Sequence, residues 1–169
     1  MGILEFIPAD RKLLRFVSDD PAEFAEAYNA RLHELSQPVA QQSLAFMKTF
    51  PYETGPEWFG YLVVEAETRQ MVGTCSFKGP PAEDGVVEIA YFSFPGFEGR
   101  GIGTQMARFL VERAATLPYV TAVVAHTAAE LNASTRILEK IGMQLTGEEE
   151  EEGMPVWHWR LPSFKPSQS

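Results

Sequence analysis

The sequence predicts a single α/β domain built on one mixed sheet with helices on both faces. Two runs rich in β-branched and aromatic residues, 59–65 and 71–77, flank Thr68-Arg69-Gln70 and predict a hairpin. Further on, a strand over 86–94 leads through a glycine-rich turn into an amphipathic helix and then into the most continuously apolar run, 119–125. Strand, helix and strand in that order predict a parallel crossover. The length of 169 residues fits one domain, which can bury roughly 68–70% of its unfolded surface without disulfides or metal.

In chain order, Asp20-Pro21 is a helix start, an Asp cap followed by Pro at the first helical position. Phe24, Ala27, Tyr28, Arg31 and Leu32 keep helical spacing, which predicts a helix over 21–35. Gln37 and Pro38 are expected to break it, and Leu44, Phe46 and Met47 predict a short helix before Pro51 and Pro56. After the hairpin, Pro80-Pro81 and Glu83-Asp84-Gly85 read as a loop, and Pro95-Gly96 ends the strand over 86–94. Ile102, Met106, Phe109, Leu110 and Leu117 predict a helix over 101–117, closed by Pro118. A second helix over 132–141 stops at Gly142, and strands at 144–149 and 155–160 form a closing hairpin around a glutamate-rich turn. The domain is expected to run over 1–162, with a Pro- and Ser-rich flexible tail at 163–169.

Fourteen basic against 23 acidic residues leave a formal net charge of −9, and no basic cluster offsets it, so a nucleic-acid partner is not expected. Cys75 is the only cysteine, which excludes an internal disulfide and suits a reducing compartment; cytoplasm is the expectation. No apolar run approaches a membrane span, so no membrane partner is expected. The run 148–152 is five glutamates without alternating ligand spacing and reads as a solvated hairpin tip; no metal is expected. Trp157 and Trp159 share one strand face and read as core.

Phe97-Glu98-Gly99-Arg100-Gly101-Ile102-Gly103-Thr104 lies between a strand and a helix. There, backbone N–H groups lack internal acceptors, and glycines admit close approach of an anion such as a pyrophosphate. It is not a Walker A loop, which requires Gly-Lys-Ser/Thr, nor the dinucleotide fingerprint, because Met106 stands at the third glycine.

Taken with Val87-Glu88-Ile89-Ala90-Tyr91, with Ala125-His126-Thr127 and with the stretch from Asn132-Ala133-Ser134-Thr135-Arg136 to Gly142-Met143, this turn resembles the GNAT N-acetyltransferase superfamily. The likeness covers roughly residues 59–160 and is strongest to the branch that includes the ribosomal-protein alanine N-acetyltransferases. It implies a mostly antiparallel twisted sheet of about six or seven strands, helices on both faces and a splayed central strand pair. It also implies acetyl-coenzyme A as cosubstrate. The pyrophosphate would lie on Gly99, Arg100, Gly101, Ile102, Gly103 and Thr104, and the pantetheine arm along Phe92, Ser93 and Phe94 with a contact from Asn132.

Three positions depart from the family pattern. Glu98 stands where Gln or Arg is common; a carboxylate cannot donate to phosphate, so it is expected to point away. Leu138 replaces a frequent Tyr acid, which leaves Ser134 as the nearest substitute. Asn132 sits one residue closer to Ser134 than the commoner spacing.

Acetyl transfer to an amine needs a base, oxyanion donors and a proton for the thiolate. Glu88 matches the strand-borne base of the family, and Ser134 the hydroxyl beside the sulfur. The capping preference of Asn132, Ser134 and Thr135 is the alternative role for these residues, and an exposed strand position is the alternative for Glu88. His126 reads as a buried, hydrogen-bonded histidine; His33 and His158 read as surface or strand residues, and Cys75 as small core.

The expected function is acetyl-coenzyme A-dependent N-acetylation of a primary amine by direct attack in a ternary complex. A non-catalytic acyl-coenzyme A-binding or sensing module is the alternative. The expected partner is a small-molecule amine or a peptide N-terminus, with the chain a monomer or homodimer. The acidic surplus, including Glu53, Glu57, Glu83 and Asp84, favours a cationic acceptor.

Overall fold

The computed structural model describes residues 2–51, 54–162 and 164, so the expected tail lies outside it except for Phe164. The chain runs β1 (Leu4–Pro8), α1 (Arg11–Asp19), α2 (Pro21–Ala27), α3 (Ser36–Met47), a single 3-10 turn (Pro56–Trp58), β2 (Tyr61–Glu65), β3 (Met71–Phe77) and β4 (Val86–Ser93). It continues through α4 (Ile102–Ala115), β5 (Ala122–Ala128), α5 (Ala133–Lys140), β6 (Gln144–Glu151) and β7 (Met154–Arg160). The strands form one seven-stranded sheet in the order β1-β2-β3-β4-β5-β7-β6, antiparallel throughout except at β4 and β5.

Alternation along the strands feeds two cores. Tyr61, Val63, Val87 and Ile89 face Met106, Leu110 and Leu138 of α4 and α5, while Leu62 and Val64 face Leu14, Val17, Phe24 and Ala40 of α1–α3. The helices therefore cover both faces. Among the described residues no helix is long and apolar enough to cross a membrane.

Several boundaries differ from the sequence reading. The helix expected over 21–35 ends at Ala27, because Asn29 adopts φ 48° and the Arg31 backbone then pairs with Gln70 beside the β2–β3 turn. Ahead of it, α1 and β1 were not expected; Asp10 caps α1 by accepting from the Leu13 N–H at 2.8 Å. Pro38 does not break a helix but sits in the first turn of α3, where its missing N–H has no helical partner to lose. The strand expected over 119–125 begins three residues later, since Thr121 is held by Asp84 and Gly85 of the loop before β4. Most of the glutamate run is not a tip: Glu148 to Glu151 lie on the edge strand β6, all exposed, and only Glu152 is in the turn.

The sheet opens at its centre. β4 and β5 pair only at Val86–Ala122, Val87–Val123 and Glu88–Val124. Beyond that point β4 stays with β3 as far as Ser93, while β5 stays with β7 as far as Ala128.

Cys75 is buried in β3, and burial pushes its thiol pKa up. In the unfolded chain a thiol ionises at about 8.5, so above that pH the unfolded state loses the proton first and stability falls; below it the thiol contributes nothing to the pH dependence. Thermal denaturation of Cys75→Ala should therefore show a shallower decline in Tm than the parent from about pH 8.5 to about pH 10. Identical slopes would assign the alkaline loss elsewhere.

Candidate functional site

The turn from β4 into α4 takes its shape from two glycines with left-handed backbones, Gly99 at φ 74° and Gly101 at φ 78°. Gly101 is the N-cap of α4, no side chain caps the helix, and no acidic residue occupies its first turn. The N–H groups of Ile102, Gly103 and Thr104 are thus free of internal acceptors at the positive end of a 14-residue helix.

They open into a groove of about 550 Å³ between α4 and α5. Of the coenzyme-contact residues expected from the sequence, Phe92, Ser93, Gly99, Gly101, Ile102, Gly103 and Thr104 line it, and Ser134 of α5 faces them. Glu98 borders the groove while its Oε1 accepts from the Gly96 N–H at 2.9 Å, so its carboxylate is occupied by its own turn.

Three expected contacts lie elsewhere. Phe94 is fully buried, its ring centroid 4.8 Å from that of His33. Arg100 donates to Glu65 Oε2 at 2.8 Å and lines a neighbouring groove. Asn132 caps α5: its Oδ1 accepts from the Thr135 N–H at 3.1 Å, and Thr135 Oγ1 accepts from the Asn132 N–H at 2.9 Å. The sequence reading missed Arg136 and Lys140, two cations one helical turn apart at the groove. Their spacing is visible in the sequence; their position opposite the α4 N-terminus is not.

Beside the groove a channel-like space of about 130 Å³ lies between the parted strands β4 and β5, lined by Lys78, Tyr91, His126, Ser134 and Leu138 among others. Tyr91 and Ser134 line both spaces. The Lys78 N–H donates to Glu88 O and the Phe94 N–H to Val72 O, each at 2.8 Å. By ladder alternation, the main-chain groups of Tyr91 and Ser93 then turn away from β3 and toward the gap. The Tyr91 hydroxyl donates to Ser134 O at 3.4 Å, and burial pushes its phenol pKa up, which keeps the proton on it.

At the far side of the gap Glu88 Oε2 lies 2.9 Å from Lys78 Nζ and 3.0 Å from His126 Nδ1, close enough for ion pairs although neither approach is aligned as a hydrogen bond. The His126 ring lies 4.1 Å from that of His158, centroid to centroid. Glu88 is therefore not a free strand residue, and His126 is half-buried against its carboxylate. An outer groove of about 450 Å³ adjoins this cluster, with Asp84, Glu88, Lys78 and Arg160 on its walls. Glu57 is instead bonded by the Tyr119 hydroxyl, and Glu53 lies outside the described residues.

His33 has a structural place: its Nδ1 accepts from the Leu35 N–H at 3.0 Å, leaving Nε2–H to donate to Pro95 O at 3.1 Å. Among the described residues no three His, Cys, Asp or Glu side chains converge as metal ligands.

Residues 3–144 match the acetyltransferase (GNAT) domain family. No curated protein matches the sequence. Among solved structures, apo RimL, the ribosomal L7/L12 alpha-N-protein acetyltransferase, has a TM-score of 0.65 at 18% identity, over 97% of this chain and 95% of that one. RimL in complex with coenzyme A has a TM-score of 0.62 at 17% identity, over 93% and 92%. A spermidine N-acetyltransferase chimera of SpeG from Vibrio cholerae and hSSAT has 0.64 at 14% identity, over 94% of each chain. At these identities the likenesses establish the fold, and the family match over most of the chain establishes the rest: the protein belongs to the GNAT family of acetyltransferases.

Proposed function

We propose that the protein transfers the acetyl group of acetyl-coenzyme A to a primary amine by direct attack in a ternary complex. One observation carries this reading: the groove at the uncapped α4 N-terminus shares Tyr91 and Ser134 with the space between β4 and β5, which in turn shares Lys78 with the outer groove at Glu88. The fit to the coenzyme is chemical. Free N–H groups and a helix dipole suit a pyrophosphate, Arg136 and Lys140 add positive charge at the groove, and the unpaired edge of β4 suits an extended arm bearing amides. RimL, of the same fold, has been solved with coenzyme A. Neighbours that act on spermidine and on a protein N-terminus support an amine acceptor, either a small molecule or a peptide.

Each chemical demand then has a residue. Glu88 takes the proton from the acceptor ammonium, with His126 beside it and the outer groove open to it. Main-chain N–H groups on the open edge of β4 face the thioester oxygen, where negative charge develops. Leu138 is fully buried and donates nothing; the hydroxyls of Ser134 and Tyr91, shared by groove and channel, serve the departing sulfur. Asn132 supports Ser134 by starting its helix.

A Cβ at Gly103 meets the tip of Ile137 at 2.6 Å, and Ile137 both lines the groove and packs against the core, so Gly103→Val crowds the groove between α4 and α5, and its Tm is measured beside its affinity. Calorimetry should find acetyl-coenzyme A binding weakened about tenfold or more, the worth of one charge-assisted hydrogen bond. Unchanged affinity would move the coenzyme elsewhere.

Release of coenzyme A, scanned over small amines and short peptides, tests the transfer itself. With an acceptor so found, Glu88→Gln should slow turnover by about 10²–10⁴-fold and leave coenzyme affinity unchanged. A parental rate from about pH 6 to about pH 9 would remove Glu88 from the chemistry.

Ser134→Ala and Tyr91→Phe should each lower turnover more than coenzyme affinity. If both variants lose only thermal stability, the two hydroxyls are packing groups.

A further inference from the structure

We propose that Lys78 is itself an acetyl acceptor, so that the protein acetylates its own Lys78 Nζ when acetyl-coenzyme A occupies the channel. This rests on the coenzyme and Glu88 assignments above. Among the described residues Lys78 is the only amine lining the gap between β4 and β5, and it also borders the outer groove, so it stands between the coenzyme side and the acceptor side. Its stem starts from a fixed point, because its N–H is bonded to Glu88 O at 2.8 Å immediately after β3. Its Nζ lies 2.9 Å from Glu88 Oε2, the oxygen that takes the proton of an acceptor ammonium in the transfer reaction. A resident amine therefore already occupies the relation to the base that an incoming acceptor must reach. The side chain is 48% exposed, which leaves it room to swing between carboxylate and thioester. Lys140 also borders the coenzyme groove, but at the α4 turn and away from the gap, so proximity to the coenzyme alone does not distinguish a lysine; proximity to the thioester end does.

The step balances with acetyl-coenzyme A as the only co-reactant. The Lys78 ammonium gives one proton to Glu88, and the neutral nitrogen adds to the thioester carbonyl. As the adduct collapses the C–S bond breaks, and a second nitrogen proton goes to the thiolate to give coenzyme A. An N–C amide bond has formed, and Glu88 releases its proton to solvent in the outer groove it borders. The product amide is neutral, so it no longer pairs with Glu88.

The test incubates the full-length protein with acetyl-coenzyme A and no added amine, then maps acetylated peptides by mass spectrometry beside calorimetry of coenzyme binding. Acetylation at Lys78 should exceed that at Lys12, Lys48 or Lys140 by about tenfold or more, as expected when the reactants are held together. Its rate should be independent of protein concentration, fall on addition of coenzyme A, and drop by about tenfold or more in Glu88→Gln. Lys78→Arg should remove that label and leave the background on the other lysines.

Label spread over the lysines alike in the parent and in Gly103→Val, or a rate that rises with protein concentration, would overturn the proposal. Binding of acetyl-coenzyme A with Lys78 unmodified overturns self-acetylation alone. Absence of binding overturns the coenzyme assignment and this proposal with it.

Discussion

β4 and β5 share a ladder over three residue pairs and then part, because each is held more extensively by its other neighbour. β3 pairs with β4 from Phe77–Ile89 to Gly73–Ser93, and β7 pairs with β5 from Val124–Arg160 to Ala128–Val156. A parallel pair inside a sheet would ordinarily satisfy its own edges; here a row of main-chain donors and acceptors is left in the interior, and such groups carry a cost unless something bonds them. One hydrophobic core, with Val87 and Ile89 of β4 and Val123 and Ala125 of β5, packs α4 and α5 against this pair of strands. Groove, channel and carboxylate cluster all take their positions from the opening, since β4 supplies Glu88 and Tyr91, β5 supplies His126, and α4 and α5 follow directly from the ends of these strands.

Charge is distributed against the net value. The chain carries −9, yet the α4 turn is free of acidic caps, Glu98 is occupied by Gly96, and Arg136 and Lys140 stand across the groove. Arg100, which reads in the sequence as a phosphate contact, is engaged by Glu65, whose carboxylate is almost buried. Local geometry, and not the overall sum, determines where an anion is welcome. The same holds on the other side of the sheet, where Lys78 and Arg160 offset Glu88 and Asp84 in the outer groove.

The part of the fold from β2 onward is legible in the sequence because its signals are local: β-branched runs for β2 and β3, a glycine turn before α4, an Asx cap before α5. The first third is not. Helical spacing continues past Ala27 through Arg31 and Leu32, but Arg31 is drawn away by main-chain bonds to residues 69–71, a tertiary competitor that periodicity does not register. At the site, the turn glycines and Glu88 could be picked by type and order. Which side chains meet across the gap could not: Lys78 follows β3 and reaches Glu88 through the β3–β4 ladder, while His126 lies on β5 and meets His158 because β7 inserts beside β5. Phe94 and Arg100 show the converse, since one precedes the turn and the other lies within it, yet the first packs inward and the second is claimed by an ion pair.

Edge strands carry a hazard of their own, because an exposed rim of N–H and C=O groups is a template for another chain. On β6 every residue from Gln144 to Glu151 is exposed, and four of the last residues are glutamates in succession. Two such rims brought together would set carboxylates opposite carboxylates at close cross-strand spacing, a repulsion that opposes the main-chain attraction at each step. The glutamates thereby act as a fence: they confine the sheet to its own seven strands on that side and guard the protein against growing into a fibre through β6.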